Sequence, residues 1–178
     1  MNKSFFSGAI ISILVFVLVL LAAGYGTIAS GVINPGADEP IPPIERWAAK
    51  TSLRAYLHNN VPKKNSPVPA TDANIQEGAQ LYLNHCASCH GYADANKSST
   101  AAGLYKRPPI FAKEDWSKDD DNLIYWFINH GVRLTGMPAY NKTLKEEEMW
   151  KIAMFIKHMK TLPAKTEEYW KNAKAPLF

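Results

Sequence analysis

Cys86-Ala87-Ser88-Cys89-His90 contains the only two cysteines of the chain, with a histidine directly behind them. On a helical turn, side chains three residues apart lie on one face. Both thiols can therefore meet one planar group, and His90 is carried just past them. A zinc site would want two more Cys or His ligands at comparable spacing, and no second pair of cysteines exists. A thioredoxin-like redox pair would want a βαβ context, which the flanking sequence lacks. Two cysteines inside one motif also exclude a scaffold of several disulfides. C-x-x-C-H is the spacing of covalent haem attachment, in which the thiols bond the two vinyl groups and the histidine ligates the iron. One haem c, bound covalently through Cys86 and Cys89 with His90 as proximal ligand, is the expectation.

A haem-bound histidine is oriented by a hydrogen bond from its other ring nitrogen, often to a backbone carbonyl in a rigid loop. Pro108-Pro109, a loop's length after His90, is a source of such a carbonyl, although two prolines can also simply shape a turn. The sixth ligand must come from the opposite side of the ring. A thioether there stabilises the reduced metal and raises the potential. Of the five methionines, Met1 begins the chain, and Met149, Met154 and Met159 fall in the last long helix, where methionine commonly fills core. Met137 stands in a loop between Gly136 and Pro138. The rival on spacing alone is His130, because imidazole also ligates haem. His58, His85 and His158 read as ordinary: the first lies on an arm, the second abuts the motif, and the third is near a helix end where a cation is favoured.

The segments around these residues are helical. Thr71 or Asp72 can cap a helix running to about His85, with Ile75, Ala79, Tyr82 and Cys86 on its buried face. A second helix is expected over 119–130, where three aspartates favour the N-terminus and Gly131 follows as a stop. A third starts from a capping box of Thr143 and Glu146 and runs to about Lys160, before Pro163. No segment alternates convincingly as a strand. The predicted domain is all-α and spans 71–163, with a tail over 164–178 that holds Tyr169, Trp170 and Phe178 and is too short for a second domain.

Upstream the character changes. Between Ser4 and Ala37 there is no charged side chain, and Phe5 to Ala23 is an almost unbroken apolar run of 19 residues, about the length that crosses a bilayer as a helix. Lys3 before it keeps the N-terminus in the cytoplasm by the positive-inside tendency and sends the remainder outward. A cleaved signal peptide is the competing reading, with small residues at Ala22, Ala23 and Gly24 or at Ala29 and Ser30. The run exceeds a usual signal core, so residues 1–29 are read as a retained single transmembrane helix. Residues 30–70 hold seven of the twelve prolines, in two extended stretches around a short helix over 44–59. Such an arm would reach at most about 100 Å from the bilayer, and its helix would rest on the membrane, on the domain or on a partner. The net charge of +4 is a weak pointer to partners, because most segments interleave lysines with acids.

The order helix, C-x-x-C-H, proline loop, Gly-Met-Pro loop and terminal helix resembles the class I cytochromes c over residues 71 to about 162. The resemblance implies that the first and last helices cross closely, with Gly78 on one meeting Phe155 on the other, and Tyr82, Ile152 and Ile156 completing the contact. It identifies Pro109, followed by Ile110 and Phe111, as the acceptor of the His90 hydrogen bond. Arg133-Leu134-Thr135-Gly136-Met137-Pro138-Ala139-Tyr140 is similar to the Met-ligand loop of membrane-anchored bacterial monohaem cytochromes, as are Tyr125-Trp126, His130-Gly131 and the Glu45-Arg46-Trp47 arm. The iron ligands implied are His90 and Met137.

With both axial positions filled by side chains no substrate reaches the iron, so the expected function is electron transfer rather than catalysis. The protein would be anchored in the bacterial cytoplasmic membrane with its haem domain in the periplasm, serving a respiratory or dehydrogenase chain. Its partners would be a redox donor and acceptor, or a larger membrane respiratory complex, and not nucleic acid. The alternative is a haem enzyme or gas-binding protein with a displaceable sixth ligand, for which His130 and Arg133 are the nearby acid-base groups. Lys97, Lys106, Arg107, Lys142 and Lys145 flank the loops expected near the haem edge; they read equally as a docking ring or as ordinary solvated charges.

Overall fold

Two helices crossing at a glycine organise the structure, a computed structural model that describes residues 3–94 and 99–173. Lys97 and Phe178 lie outside the described residues. In chain order the α-helices are α1 (Lys3–Ala29), α2 (Pro43–Asn60), α3 (Asp72–His85), α4 (Ala87–His90), α5 (Ser99–Ala102), α6 (Asp121–His130), α7 (Glu146–His158) and α8 (Ala164–Asn172), and no strand occurs among the described residues. The all-α expectation holds. The chain forms one unit ending at Glu39 and a second beginning at Pro40.

The first unit is essentially α1. From Ile10 to Leu21 every side chain is exposed, although nearly all are large and apolar. Phe6–Ala29 is a helix long and apolar enough to cross a membrane, about 36 Å against a hydrocarbon core of about 30 Å.

The second unit is built on α3 and α7. Thr71 caps α3 by accepting the Asn74 N–H at 3.3 Å, and the helix buries Ile75, Gly78, Ala79 and Tyr82. The α7 helix is buried from Met149 to Ile156. At their crossing a Cβ on Gly78 would stand 2.1 Å from the Lys151 carbonyl oxygen and 3.1 Å from Phe155 Cβ. Only a residue without a side chain lets the two backbones approach that closely. Tyr82 then reaches the Phe155 ring, with centroids 5.3 Å apart.

Two boundaries differ from expectation. α6 begins at Asp121, since Asp119 is used by a turn in which its N–H donates to the Trp116 carbonyl at 3.2 Å. α7 begins at Glu146, and its N-terminal bond is made by the Glu148 carboxylate to the Lys145 N–H at 2.7 Å. The box expected from Thr143 and Glu146 does not form, because Thr143 closes the short turn over Tyr140–Lys142, its hydroxyl donating to the Tyr140 carbonyl at 3.2 Å.

The remaining helices pack around this crossing. α6 joins α7 through a stack of Tyr125 on Trp150, centroids 4.1 Å apart, and an ion pair of Lys157 with Asp121. The tail forms α8, whose Trp170 is buried edge-on against Tyr82 and Phe155. The arm helix α2 lies against the same unit. Its Glu45 accepts the Tyr105 hydroxyl at 2.9 Å, its Tyr56 ring meets Trp126 at 5.8 Å, and just beyond it the Asn122 amide donates to the Pro62 carbonyl. No residue of α2 is buried.

Candidate functional site

The C-x-x-C-H motif occupies a single helical turn that follows directly on α3. Cys86 ends α3, its N–H donating to the Tyr82 carbonyl, and its own carbonyl accepts the N–H groups of Cys89 at 3.1 Å and His90 at 2.9 Å. The turn stops at Gly91, whose φ of +89° suits glycine. The buried Tyr82 hydroxyl donates to the Gly91 carbonyl at 2.9 Å, so the motif is pinned to α3 at both its ends. The two thiols are free of any disulfide. Burial, with a smaller contribution from Cys89, pushes the Cys86 thiol up to about 12. That is opposite to the depressed thiol of a redox-active pair. No group of three His, Cys, Asp or Glu side chains fit for a metal ion occurs among the described residues, which leaves the zinc reading without its further ligands.

His90, the last residue of this turn, is buried, and its Nδ1 lies 2.9 Å from the Pro109 carbonyl oxygen. A carbonyl only accepts, so Nδ1 carries the proton and Nε2 keeps its lone pair. Burial lowers the imidazole below its ordinary value, partly offset by the Pro109 bond. The ring is therefore neutral and oriented, the state a metal ligand needs. Phe111 stacks on it with centroids 4.4 Å apart. Trp116 meets Phe111 edge-on at 5.1 Å, and its buried indole N–H has no hydrogen-bond partner.

Met137 is half-buried in a tightly built loop. α6 ends at Gly131, with φ +63°, where a Cβ would fall 2.6 Å from the Met137 carbonyl oxygen and the Pro138 carbonyl carbon. The Val132 N–H donates to the Met137 carbonyl at 3.2 Å. The Thr135 hydroxyl donates to Val132 at 2.7 Å and accepts the Met137 N–H at 3.1 Å. Leu134 is the one non-glycine residue with positive φ among those described, and it is 91% exposed. Two contacts bring this loop to the motif side. Gly136 leaves space only for Leu104, in the segment leading to Pro109. Tyr140 donates its hydroxyl to the His85 carbonyl at 2.8 Å, and burial with the nearby cysteine sulfurs pushes that phenol up to about 12. The rival His130 is exposed, its ring 5.0 Å from Trp126 and its Nε2 accepting from the Asn129 amide at 3.0 Å.

Cys86, Cys89, His90 and Pro109 thus form one assembly, and the Met137 loop is tied to it through Leu104 and Tyr140. Sequence reasoning passed over Trp116, and it quoted Thr135 and Tyr140 only as part of the methionine loop, with no role of their own. An aromatic alone in the charged stretch 113–119, and a tyrosine closing the methionine loop, were the signals available. The donor set fits a haem: two unpaired thiols on one turn, a neutral imidazole with Nε2 open, a thioether loop, and a buried indole N–H without a partner in the protein.

The family match agrees with this. Residues 73–156 match the family described as cytochrome c oxidase, cbb3-type, subunit III. The quinohemoprotein alcohol dehydrogenase ADH IIB of Pseudomonas putida is 28% identical over 90 residues, 51% of this chain but 12% of that protein. A chain of the reducing HAO-like protein complex of Kuenenia stuttgartiensis aligns over 69% of this chain and 62% of its own length, at 17% identity and a TM-score of 0.44. Over residues 73–156 the chain thus carries a cytochrome c domain, consistent with a class I c-type cytochrome, and such a domain implies haem-based electron transfer.

Proposed function

We propose that this protein is a membrane-tethered carrier of single electrons with one haem c, held covalently by Cys86 and Cys89 and ligated by His90 and Met137. When bound, the haem supplies a one-electron iron couple. Cys86 and Cys89 would fix it to the turn, and His90 would be held for the iron by the Pro109 carbonyl. That hydrogen bond, at 2.9 Å, is the observation that carries the reading, because it leaves one ring nitrogen protonated and the other free to ligate. Met137 is supported over His130 by the turn that Gly131 and Thr135 build around it, and by the prior engagement of His130 Nε2 with Asn129.

Filled axial positions favour a carrier over an enzyme. The α1 helix supports a tether that keeps the cytochrome domain in the periplasm at the cytoplasmic membrane. The name of the matched family, an oxidase subunit, and that of the Pseudomonas relative, a dehydrogenase, support a redox donor and acceptor in a respiratory or dehydrogenase chain.

The test is the ferric absorption spectrum of the haem-loaded chain beside Met137→Ala and His130→Ala. A weak far-red band of Met-to-iron ligation that only Met137→Ala abolishes is expected. A high-spin wild-type spectrum would revive the enzyme or gas-binding reading. A low-spin spectrum sensitive to His130→Ala would mean two imidazole ligands.

A further inference from the structure

Directly after the acidic pair Asp38-Glu39, one segment carries a net positive charge as large as that of the whole chain. Arg46, Lys50, Arg54, Lys63 and Lys64 stand against the single acid Glu45 over residues 40–70, a net charge of +4, equal to the excess of the whole chain. Glu45 is moreover engaged with the Tyr105 hydroxyl. At 100° per residue, Glu45, Leu53 and Tyr56 face the domain, and Leu53 and Leu57 are half-buried. The opposite face presents Ile44, Trp47 and Ala55 with the polar Thr51 and His58 between them, and Arg54 and Lys50 follow along one flank. Ile44 is 69% and Trp47 63% exposed, so the one tryptophan of the helix and an isoleucine beside it are turned away from the domain.

A face that sets a tryptophan and an isoleucine among small and polar groups and is edged by cations has the amphipathic composition of a helix lying in a membrane interface. α2 begins only thirteen residues after α1 ends, and a chain of that length spans at most about 45 Å. A lipid surface entered by α1 is therefore always within reach, whereas an acidic protein must be met by diffusion.

We propose that the outer face of α2 lies on an anionic lipid surface, Trp47 and Ile44 inserted and Lys50 and Arg54 on the headgroups. The cytochrome domain is then held in one orientation by the Glu45–Tyr105 and Tyr56–Trp126 contacts instead of swinging on its arm. This rests on the membrane tether proposed above.

The experiment uses the full-length, haem-loaded chain in nanodiscs, with a nitroxide at position 47 (Trp47→Cys) or 44 (Ile44→Cys) and a reference label at 165 (Lys165→Cys) on α8. Collision with oxygen against a water-soluble nickel chelate reads the depth of each label. In discs containing phosphatidylglycerol, labels 47 and 44 are expected to be shielded from nickel while label 165 is not. Reversing charge at Lys50→Glu and Arg54→Glu is expected to lower the inserted population more than about tenfold, each cation near such a surface being worth about fivefold. Labels 47 and 44 as open to nickel as label 165 would overturn the proposal. Equal burial in purely zwitterionic discs would overturn the anionic assignment, and protection appearing only on addition of an acidic redox protein would give the face to a protein instead. Release of the chain from membranes by alkaline carbonate would sink the tether itself, a separate failure read before any label is placed.

Discussion

Gly78→Ala tests the packing that holds the cytochrome domain together. In an exposed helix the change would stabilise by about 1 kcal/mol, because alanine is the better helix former. Here the new Cβ would stand 2.1 Å from the Lys151 carbonyl oxygen and 2.7 Å from its carbon, where ordinary C···O contacts are about 3.3–3.6 Å. The obstruction is backbone, so no rotamer change relieves it, and α3 and α7 must separate by roughly 1 Å. A gap of 0.5–1 Å forfeits about a quarter to a half of the dispersion well of each contact across it. The contacts at stake include Tyr82, Ile152 and Phe155, all fully buried.

Overpacking costs about 1–3 kcal/mol, and a backbone obstruction places this case at the upper end. After the helix-propensity gain the expected net loss is about 2 kcal/mol, which for a domain of this size lowers Tm by roughly 8–16 °C. Thermal unfolding of the haem-loaded protein followed by far-ultraviolet circular dichroism measures it. Gln80→Ala, exposed on the same helix, serves as control and is expected to leave Tm near wild type. A Gly78→Ala protein as stable as wild type would refute the close crossing.

Other consequences follow from the same geometry. Trp170→Ala removes a buried ring packed on Tyr82 and Phe155 and is expected to cost about 3–5 kcal/mol in chemical denaturation, against a much smaller effect for Tyr169→Ala, whose ring is 40% exposed. Gly131→Ala is expected to reduce the fraction of protein showing the far-red band, because a side chain there meets the Met137 and Pro138 backbone at 2.6 Å; an unchanged band would refute the role given to that glycine. Lys151 bridges Glu77 at 2.9 Å and Glu147 at 2.6 Å, which holds the Glu147 carboxyl below its ordinary 4.5 and the Lys151 amine above its ordinary 10.5. A lowered carboxyl stabilises above its unfolded pKa and loses that contribution as pH falls through the folded one. Glu147→Gln is accordingly expected to flatten the fall of Tm on acidification below pH 4.5. The raised lysine contributes fully below 10.5 and loses its part as pH climbs past that value, so Lys151→Met is expected to flatten the alkaline limb.

The parts legible in the sequence were those governed by short-range rules. Thr71 before an apolar-periodic stretch announced α3, and Gly131 after Ile128 and His130 announced the end of α6. C-x-x-C-H is a rule of the same kind, its geometry contained in five residues. The start of α7 was misplaced because Thr143 had two local bonds open to it and took the turn at Tyr140. Trp116 was passed over, and Tyr140 given no role beyond its place in the methionine loop, for a different reason. Their significance depends on residues distant along the chain, His90 on which Trp116's neighbour Phe111 stacks for one and the His85 carbonyl for the other, and no local pattern encodes such a meeting.

The arm shows how a polar contact can settle what periodicity leaves open. The apolar residues of α2 fall into two sets that share no clean face, which from sequence alone left the helix equally suited to the membrane, the domain or a partner. The Glu45–Tyr105 bond assigns one side of the helix to the domain. Tyr105 precedes Pro108 and Pro109 in the loop that holds the His90 hydrogen bond, and at the other end of α2 Tyr56 rests on Trp126 of α6, the helix that leads into the Met137 loop. One eighteen-residue helix therefore touches the supports of both proposed iron ligands. Glu45→Gln keeps the shape of that contact and removes its charge, whereas Tyr105→Phe removes the bond altogether. If the helix braces the two loops, Tyr105→Phe is expected to shift the midpoint potential and Glu45→Gln to shift it less. Identical potentials for both variants and wild type, with unfolding also unchanged, would show that α2 is merely parked there.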